Sequence, residues 1–347
     1  MHIAIVATNN LSVTAPAVAR ELGRGHEVTV YTRDDAQIKG VRVERVPAGP
    51  DKDLSESDLL PYISDFSDGL KRRWHAERPD VIHAHSWTGG LAAIAGSDGL
   101  DVPVTQTFHH DDRPSAQVLR LERAIGRRAR AVIATCAGEE SQLIQMGVPR
   151  RNISIVPGGV DIERFKRQGP AFPRDGRPRL LHVGATGAGA VVNSLTSIPD
   201  AELVVAGGDD PVLERLRMLA RSRGVEDRLT LLGQVPHNAM PKLIRSVDVA
   251  LSLQPTVPAG TAALEIMACG VPVIASASGA HLDSVVDGVT GFLVRRPAEV
   301  TARIRDLLGD RTLRSALGYA GADRARSRYS LERVSQELLR VYESACA

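Results

Sequence analysis

The sequence predicts an α/β protein made of two tandem domains, each with a mainly parallel sheet. Three observations carry that prediction. Short β-branched runs alternate with longer amphipathic stretches, as parallel strands joined by crossover helices require. The alternation breaks once, at the Pro- and Gly-rich stretch PGGVDIERFKRQGPAFPRDGRP, and then begins again. The 347 residues suffice for two domains of about 100–200 residues.

In chain order, the strand-like runs of the first half are HIAIVA, EVTVYT, VRVERV, DVIHAH, VPVTQTF, AVIAT and ISIVP, all before Pro157. Beyond the linker come RLLHVG, AELVVAG, LTLLG, DVALSL, VPVIAS and GFLV. From Pro297 onward the sequence is helical in character, and LERVSQELLRVY, Leu331 to Tyr342, spaces its apolar residues helically. The expected division is residues 1–165, residues 166–325, and a terminal helix within 326–347 that crosses back to the first domain. Ligands of open parallel sheets sit at the carboxyl ends of the strands. Two such domains predict a central cleft, with the working residues at strand ends.

Composition narrows the function classes. Hydrophobic residues are 43% and charged residues 24%, near the globular average, which excludes wholesale disorder and fibrous folds. A net charge of +2 is too balanced for a chain whose main partner is a nucleic acid. Cys136, Cys269 and Cys346 are odd in number and far apart, so a disulfide framework or zinc knuckle is not expected and a reducing, cytoplasmic setting is. The N-terminus lacks a basic leader and cleavage signal, and no apolar run reaches the ~18 residues of a membrane span.

Three stretches carry candidate chemistry. His83, His85, His109, His110, Asp111 and Asp112 lie at the ends of the fourth and fifth strands. His83 and His85 share a strand face, so they read either as zinc or iron ligands of a metal-dependent hydrolase or as hydrogen-bonded histidines beside a cleft. The run LLHVGATGAGA, with Gly184, Gly187 and Gly189, reads as a phosphate cradle or as a plain tight turn; as a dinucleotide fingerprint it is incomplete. Gly260 to Cys269 reads as a helix capped by Gly270, and Glu265 is a carboxylate in an otherwise almost wholly apolar segment, costly to bury without hydrogen bonds.

LEIMACGVPVIAS and SVVDGVTGFLV resemble the signature helix and strands of glycosyltransferase family 4, the retaining nucleotide-sugar enzymes of the GT-B fold. RLERAIGRRARAVIATCAGEESQLIQMGVPRRNISIVPGGVDIERF is similar to the end of the family's acceptor domain and its linker. VTVYTRDD, VERVPAGP, PDVIHAHSWTGGLAA and VPVTQTFHHDD resemble the branch of sucrose-phosphate synthases and mycothiol-type glycosyltransferases. The resemblance implies two Rossmann-like domains and transfer of a sugar from a UDP- or GDP-sugar to a small-molecule or glycan acceptor, with retention and without a metal or other cofactor. By position it implies that Glu265 accepts hydrogen bonds from ribose hydroxyls and that Gly260, Thr261 and Ala262 offer amides to phosphates or sugar. Gln234 and Val235 fall where the family grips the base, and His109 matches a histidine that contacts the donor sugar. Peripheral membrane contact through the basic run RLERAIGRRARA is compatible with the family, although such a run is ordinarily a solvated face.

Three positions depart from the family pattern. Its paired acids are Glu, seven residues, Glu, and here Val257 stands where the first would be. Its Arg and Lys after the first strand of the second domain are replaced by VGATGAGAVV, with no cation between Arg179 and Pro199. Its Gly-Gly turn after the first strand is replaced by TNNLSVTAP. The leading expectation is an active enzyme whose Gly184–Gly189 turn seats the diphosphate on backbone amides; the alternative is a catalytically impaired, binding-only or accessory member.

Overall fold

The structure, a computed structural model, describes residues 1–9, 15–52, 54–109, 115–254 and 260–347. Two compact units divide the chain: Met1–Gly158 together with Leu331–Ala347, and Gly159–Ser330.

The first unit holds seven strands: β1 (His2–Ala7), β2 (Glu27–Thr32), β3 (Arg42–Arg45), β4 (Val81–His85), β5 (Val104–Thr107), β6 (Ala131–Ala134) and β7 (Ile153–Ile155). They pair in the order β3-β2-β1-β4-β5-β6-β7, every neighbouring pair parallel. The order reverses at β1, so the switch point of the sheet lies between β1 and β4. Side chains alternate across the strands: Ala4, Val6, Ile82 and Ala84 pack on one face with Phe66, Leu70 and Trp74, whereas Ile3, Ile5, Val28 and Val30 pack on the other. That second face is covered by the helix Ala15–Leu22, through Ala19 and Leu22, and by the last helix, Leu331–Cys346, through Val334, Leu338, Val341 and Tyr342.

The second unit holds six strands: β8 (Arg179–Val183), β9 (Glu202–Ala206), β10 (Leu229–Leu231), β11 (Val249–Ser252), β12 (Val273–Ser276) and β13 (Gly291–Val294). Their order is β10-β9-β8-β11-β12-β13, again all parallel, with the switch point between β8 and β11. Leu180, Leu203, Val205, Val249 and Leu251 face one core, and Leu181, Val204, Ala206 and Ala250 face the other. The chain enters and leaves this unit side by side: the Val160 N–H donates to the Tyr329 carbonyl at 2.8 Å, in an isolated bridge between Val160 and Ser330. Helices Pro297–Gly309 and Arg311–Tyr329 close its sequence. Among the described residues no helix is long and apolar enough to cross a membrane.

Candidate functional site

The signature helix of the second unit runs Thr261–Ala268, after Gly260 in left-handed conformation (φ 62°). Its C-terminus closes with two bonds, Gly270 N–H to the Met267 carbonyl (2.8 Å) and Val271 N–H to the Ile266 carbonyl (3.3 Å), which satisfy carbonyls the helix cannot. Ala263, Leu264, Ile266, Met267 and Ala268 are buried, so only Thr261, Ala262 and Glu265 reach the surface. An apolar helix is thus left open along one narrow stripe, and the three residues on it are those the sequence singled out. The first amides of a helix lack an intrahelical partner and carry the positive end of its dipole, and here they belong to the residues at the start of that stripe.

Glu265 is held by a residue the motif reading passed over. His237 Nε2 lies 2.7 Å from Glu265 Oε1, and Arg164 Nη1 lies 3.1 Å from His237 Nδ1. A guanidinium only donates, so Nδ1 is the acceptor and the ring proton sits on Nε2, where it is donated to the carboxylate. The imidazole packs on the buried Phe165 ring at 5.1 Å between centroids. The Glu265 side chain is 15% exposed and that of His237 36%, so the pair is open to a ligand. His237 stands two residues beyond Val235 in the stretch QVPHNAM, and Arg164 lies in VDIERF, inside the linker. Of the base-gripping candidates, Gln234 is exposed and Val235 half-buried against the core that holds the signature helix.

The glycine turn follows β8 directly. Gly184 and Gly187 are left-handed (φ 82° and 90°), and Gly187 caps the helix Ala188–Leu195. A Cβ at Gly187 would stand 2.1 Å from the Leu253 carbonyl oxygen, and one at Gly184 would stand 2.4 Å from Gln254 Nε2. Gly187 is therefore required by close packing against the backbone beyond β11, whatever it binds, whereas at Gly184 the neighbour is the movable end of a side chain and the left-handed φ is what favours glycine. Gly189 differs: its Cβ would meet only Leu219 Cδ2, at 3.4 Å. His182, fully buried on β8, donates from Nδ1 to the Gly184 carbonyl at 2.5 Å, and burial holds its pKa down at about 4.

At the ends of β11 and β12 a second histidine ties the strands. His281 Nδ1 donates to the Ser276 carbonyl (3.1 Å), and its Nε2 lies 3.2 Å from Ser252 Oγ. Burial again lowers its pKa to about 4, so both ring nitrogens serve as structural hydrogen-bonding groups. Val257 falls in the stretch that follows β11 and lies outside the described residues.

In the first unit the histidines resolve differently from the metal reading. Both nitrogens of His83 are engaged, Nδ1 with Tyr342 Oη at 2.7 Å and Nε2 with Thr107 Oγ1 at 2.8 Å. No lone pair is left for a metal without breaking one of these bonds. Burial, with the nearby His109, pushes the His83 pKa to about 3. His85 Nδ1 lies 3.1 Å from Nε2 of the exposed His109, the two rings stacked at 5.3 Å between centroids. The blander of the two sequence readings, hydrogen-bonded histidines at a strand edge, describes His83 and His85. His110, Asp111 and Asp112 lie outside the described residues. Among the described residues the one cluster with metal-ligand spacing is His2, Glu27 and Glu77, at the opposite, amino edge of the sheet. Beside His85, Ser86 is a non-glycine residue at φ 61°, buried at the β1/β4 switch point, its Oγ 2.9 Å from Thr88 Oγ1. Sequence pattern gives no sign of that left-handed serine.

Two units, each a parallel, Rossmann-like sheet with polar groups at its carboxyl edge, are the architecture of the GT-B class. Residues 14–164 match the family model Glycosyltransferase Family 4, and residues 184–324 match that of Glycosyl transferases group 1. A D-inositol 3-phosphate glycosyltransferase of Geodermatophilus obscurus is 30% identical, the alignment covering 96% of this chain and 84% of the relative. The protein so named in Xylanimonas cellulosilytica is 29% identical, over 93% and 88%. Among solved structures, sucrose-phosphate synthase from Thermosynechococcus elongatus superposes with a TM-score of 0.87 at 23% identity, covering 99% of this chain and 98% of that one. Anabaena HepE, solved with UDP-glucose, gives 0.82 at 19% identity, covering 99% and 100%. The chain belongs to glycosyltransferase family 4 and is a glycosyltransferase. Relatives named as transferases favour the enzyme over the binding-only alternative.

Proposed function

We propose that the protein transfers a sugar, with retention of configuration, from a UDP-sugar to a small phosphorylated polyol. The observation that carries the reading is Glu265, a carboxylate on the one open stripe of an apolar helix, on the same stripe as that helix's first-turn residues Thr261 and Ala262. Glu265 accepts hydrogen bonds from the ribose hydroxyls, and the amides of Gly260, Thr261 and Ala262 face phosphate or sugar. Gln234 and Val235 meet the base through backbone groups. The Gly184–Gly189 turn and the N-terminus of the helix Ala188–Leu195 seat the diphosphate, where the family's Arg and Lys are missing. Amide donors aimed at developing charge are each worth about 10²–10³ in rate, so several can replace a cation pair. His109, steadied by His85, contacts the transferred sugar. The uridine assignment is supported by the UDP-glucose bound to HepE, and the acceptor class by the inositol phosphate named for the relatives. GDP-sugars are the second donor class.

Calorimetric titration with UDP, GDP and ADP, wild type beside Glu265→Ala, tests the donor site. UDP is expected to bind at micromolar strength and the variant to bind it at least about tenfold more weakly; UDP binding at wild-type strength in the variant overturns the reading. Transfer from UDP-glucose and other UDP-sugars to inositol phosphates, followed by NMR of the anomeric proton, then tests acceptor and retention.

A further inference from the structure

We infer that Arg164 and His237 are positioning residues that hold Glu265 in the orientation the ribose hydroxyls need. The inference rests on the nucleotide reading of Glu265 given above. The chain of contacts is directional. Asp161 Oδ1 accepts the Arg164 backbone N–H at 3.1 Å, and Asp161 Oδ2 lies 3.9 Å from Arg164 Nε. Arg164 Nη1 donates to His237 Nδ1, and His237 Nε2 donates to Glu265 Oε1.

Each link constrains the next. Because arginine has no acceptor, it selects one tautomer of His237, and only that tautomer can donate to the carboxylate while Arg164 remains bound. The Phe165 ring fixes the imidazole from its face. With Oε1 held, the Glu265 carboxylate is fixed about its last torsion, and among the described residues no group bonds Oε2. A carboxylate offers about four acceptor sites, so the held group still has capacity for two hydroxyls. A Glu free to rotate would lose side-chain freedom on binding, and pre-orienting it removes that cost. The expected gain is about tenfold in affinity, felt only by ligands that carry the hydroxyls.

The hydroxyl dependence separates positioning from simple stapling of the 232–239 loop to the helix. Affinities for UDP and 2′,3′-dideoxy-UDP are measured by calorimetry for wild type, His237→Leu, His237→Gln and Arg164→Met, with melting curves to verify folding. Wild type is expected to prefer UDP by at least tenfold. His237→Leu is expected to bind dideoxy-UDP within about twofold of wild type and to lose most of the preference. His237→Gln, whose amide can accept from Arg164 and donate to Glu265, is expected to restore it. Arg164→Met frees the tautomer and is expected to lower the preference, which keeps the test available if His237→Leu does not fold. Full preference retained in His237→Leu and Arg164→Met, or equal loss for both ligands, overturns the inference while leaving the ribose reading standing. Absence of any preference in wild type overturns both.

Discussion

Replacing Glu265 with alanine removes a charged acceptor from a site 15% exposed, without disturbing the five buried residues of its helix. Hydrogen bonds to a charged group are worth about 1.5–3 kcal/mol each, so nucleotide affinity is expected to fall by at least about tenfold while the melting temperature stays close to wild type. The glycine turn gives a matched pair of residue-scale tests. Gly187→Ala places a Cβ 2.1 Å from the Leu253 carbonyl at a φ of 90°, and is expected to unfold the second unit or destabilise it by more than about 3 kcal/mol. Gly189→Ala, in an ordinary helical position with room for the methyl, is expected to raise stability by up to about 1 kcal/mol. Urea unfolding of both variants reads the contrast. Glu265 was legible because one carboxylate in an apolar helix is conspicuous in sequence. His237 was not, because an isolated histidine in a polar loop acquires meaning only from a partner 28 residues away.

Strands and their partition into seven and six were legible because each is a short apolar run bounded by turn residues, most of them buried on both faces and only the edge strands β3, β7 and β10 more open. The helical character of Leu331–Cys346 was legible from its spacing, but which residue of the first sheet it would bond was not. Its Tyr342 reaches His83, 259 residues earlier, across a 2.7 Å hydrogen bond in the core. Tyr342→Phe leaves the His83 Nδ1 unsatisfied in a buried site, and the expected loss is about 1–3 kcal/mol. That loss is expected in the first unit alone, seen as a downward shift of one calorimetric transition. The Gly184 and Gly187 positions illustrate the opposite limit. Sequence alone left phosphate cradle and tight turn open, since both need glycine, and the packing against Leu253 and Gln254 that separates structural need from ligand contact is long-range.

At the scale of the whole molecule, three histidines among the described residues are buried and held neutral, His83 in the first unit and His182 and His281 in the second. Their pKa values of about 3, about 4 and about 4 lie below the ordinary 6.5, mainly through burial. The unfolded chain therefore binds more protons between pH 6.5 and these values, so stability is full above about pH 6.5 and declines as pH falls toward 4. Each group accounts for up to roughly 3 kcal/mol over that window, and both units are expected to melt at lower temperature at pH 4.5 than at pH 7. A melting temperature flat across that range would mean the histidines are reached by water. The first unit has a further property: one of the helices on the second face of its sheet, Leu331–Cys346, is synthesised only after the second unit. Ile3, Ile5, Val28 and Val30 leave the exit tunnel early, yet Val334, Leu338 and Val341 follow only after the second unit has been synthesised. At about 5–20 residues per second, the nascent chain leaves that face covered by helix Ala15–Leu22 alone for on the order of ten to thirty seconds. Vectorial synthesis thus makes the N-terminal sheet a client for holdase chaperones, and a chain stopped after Ser330 is expected to remain bound to them or aggregate.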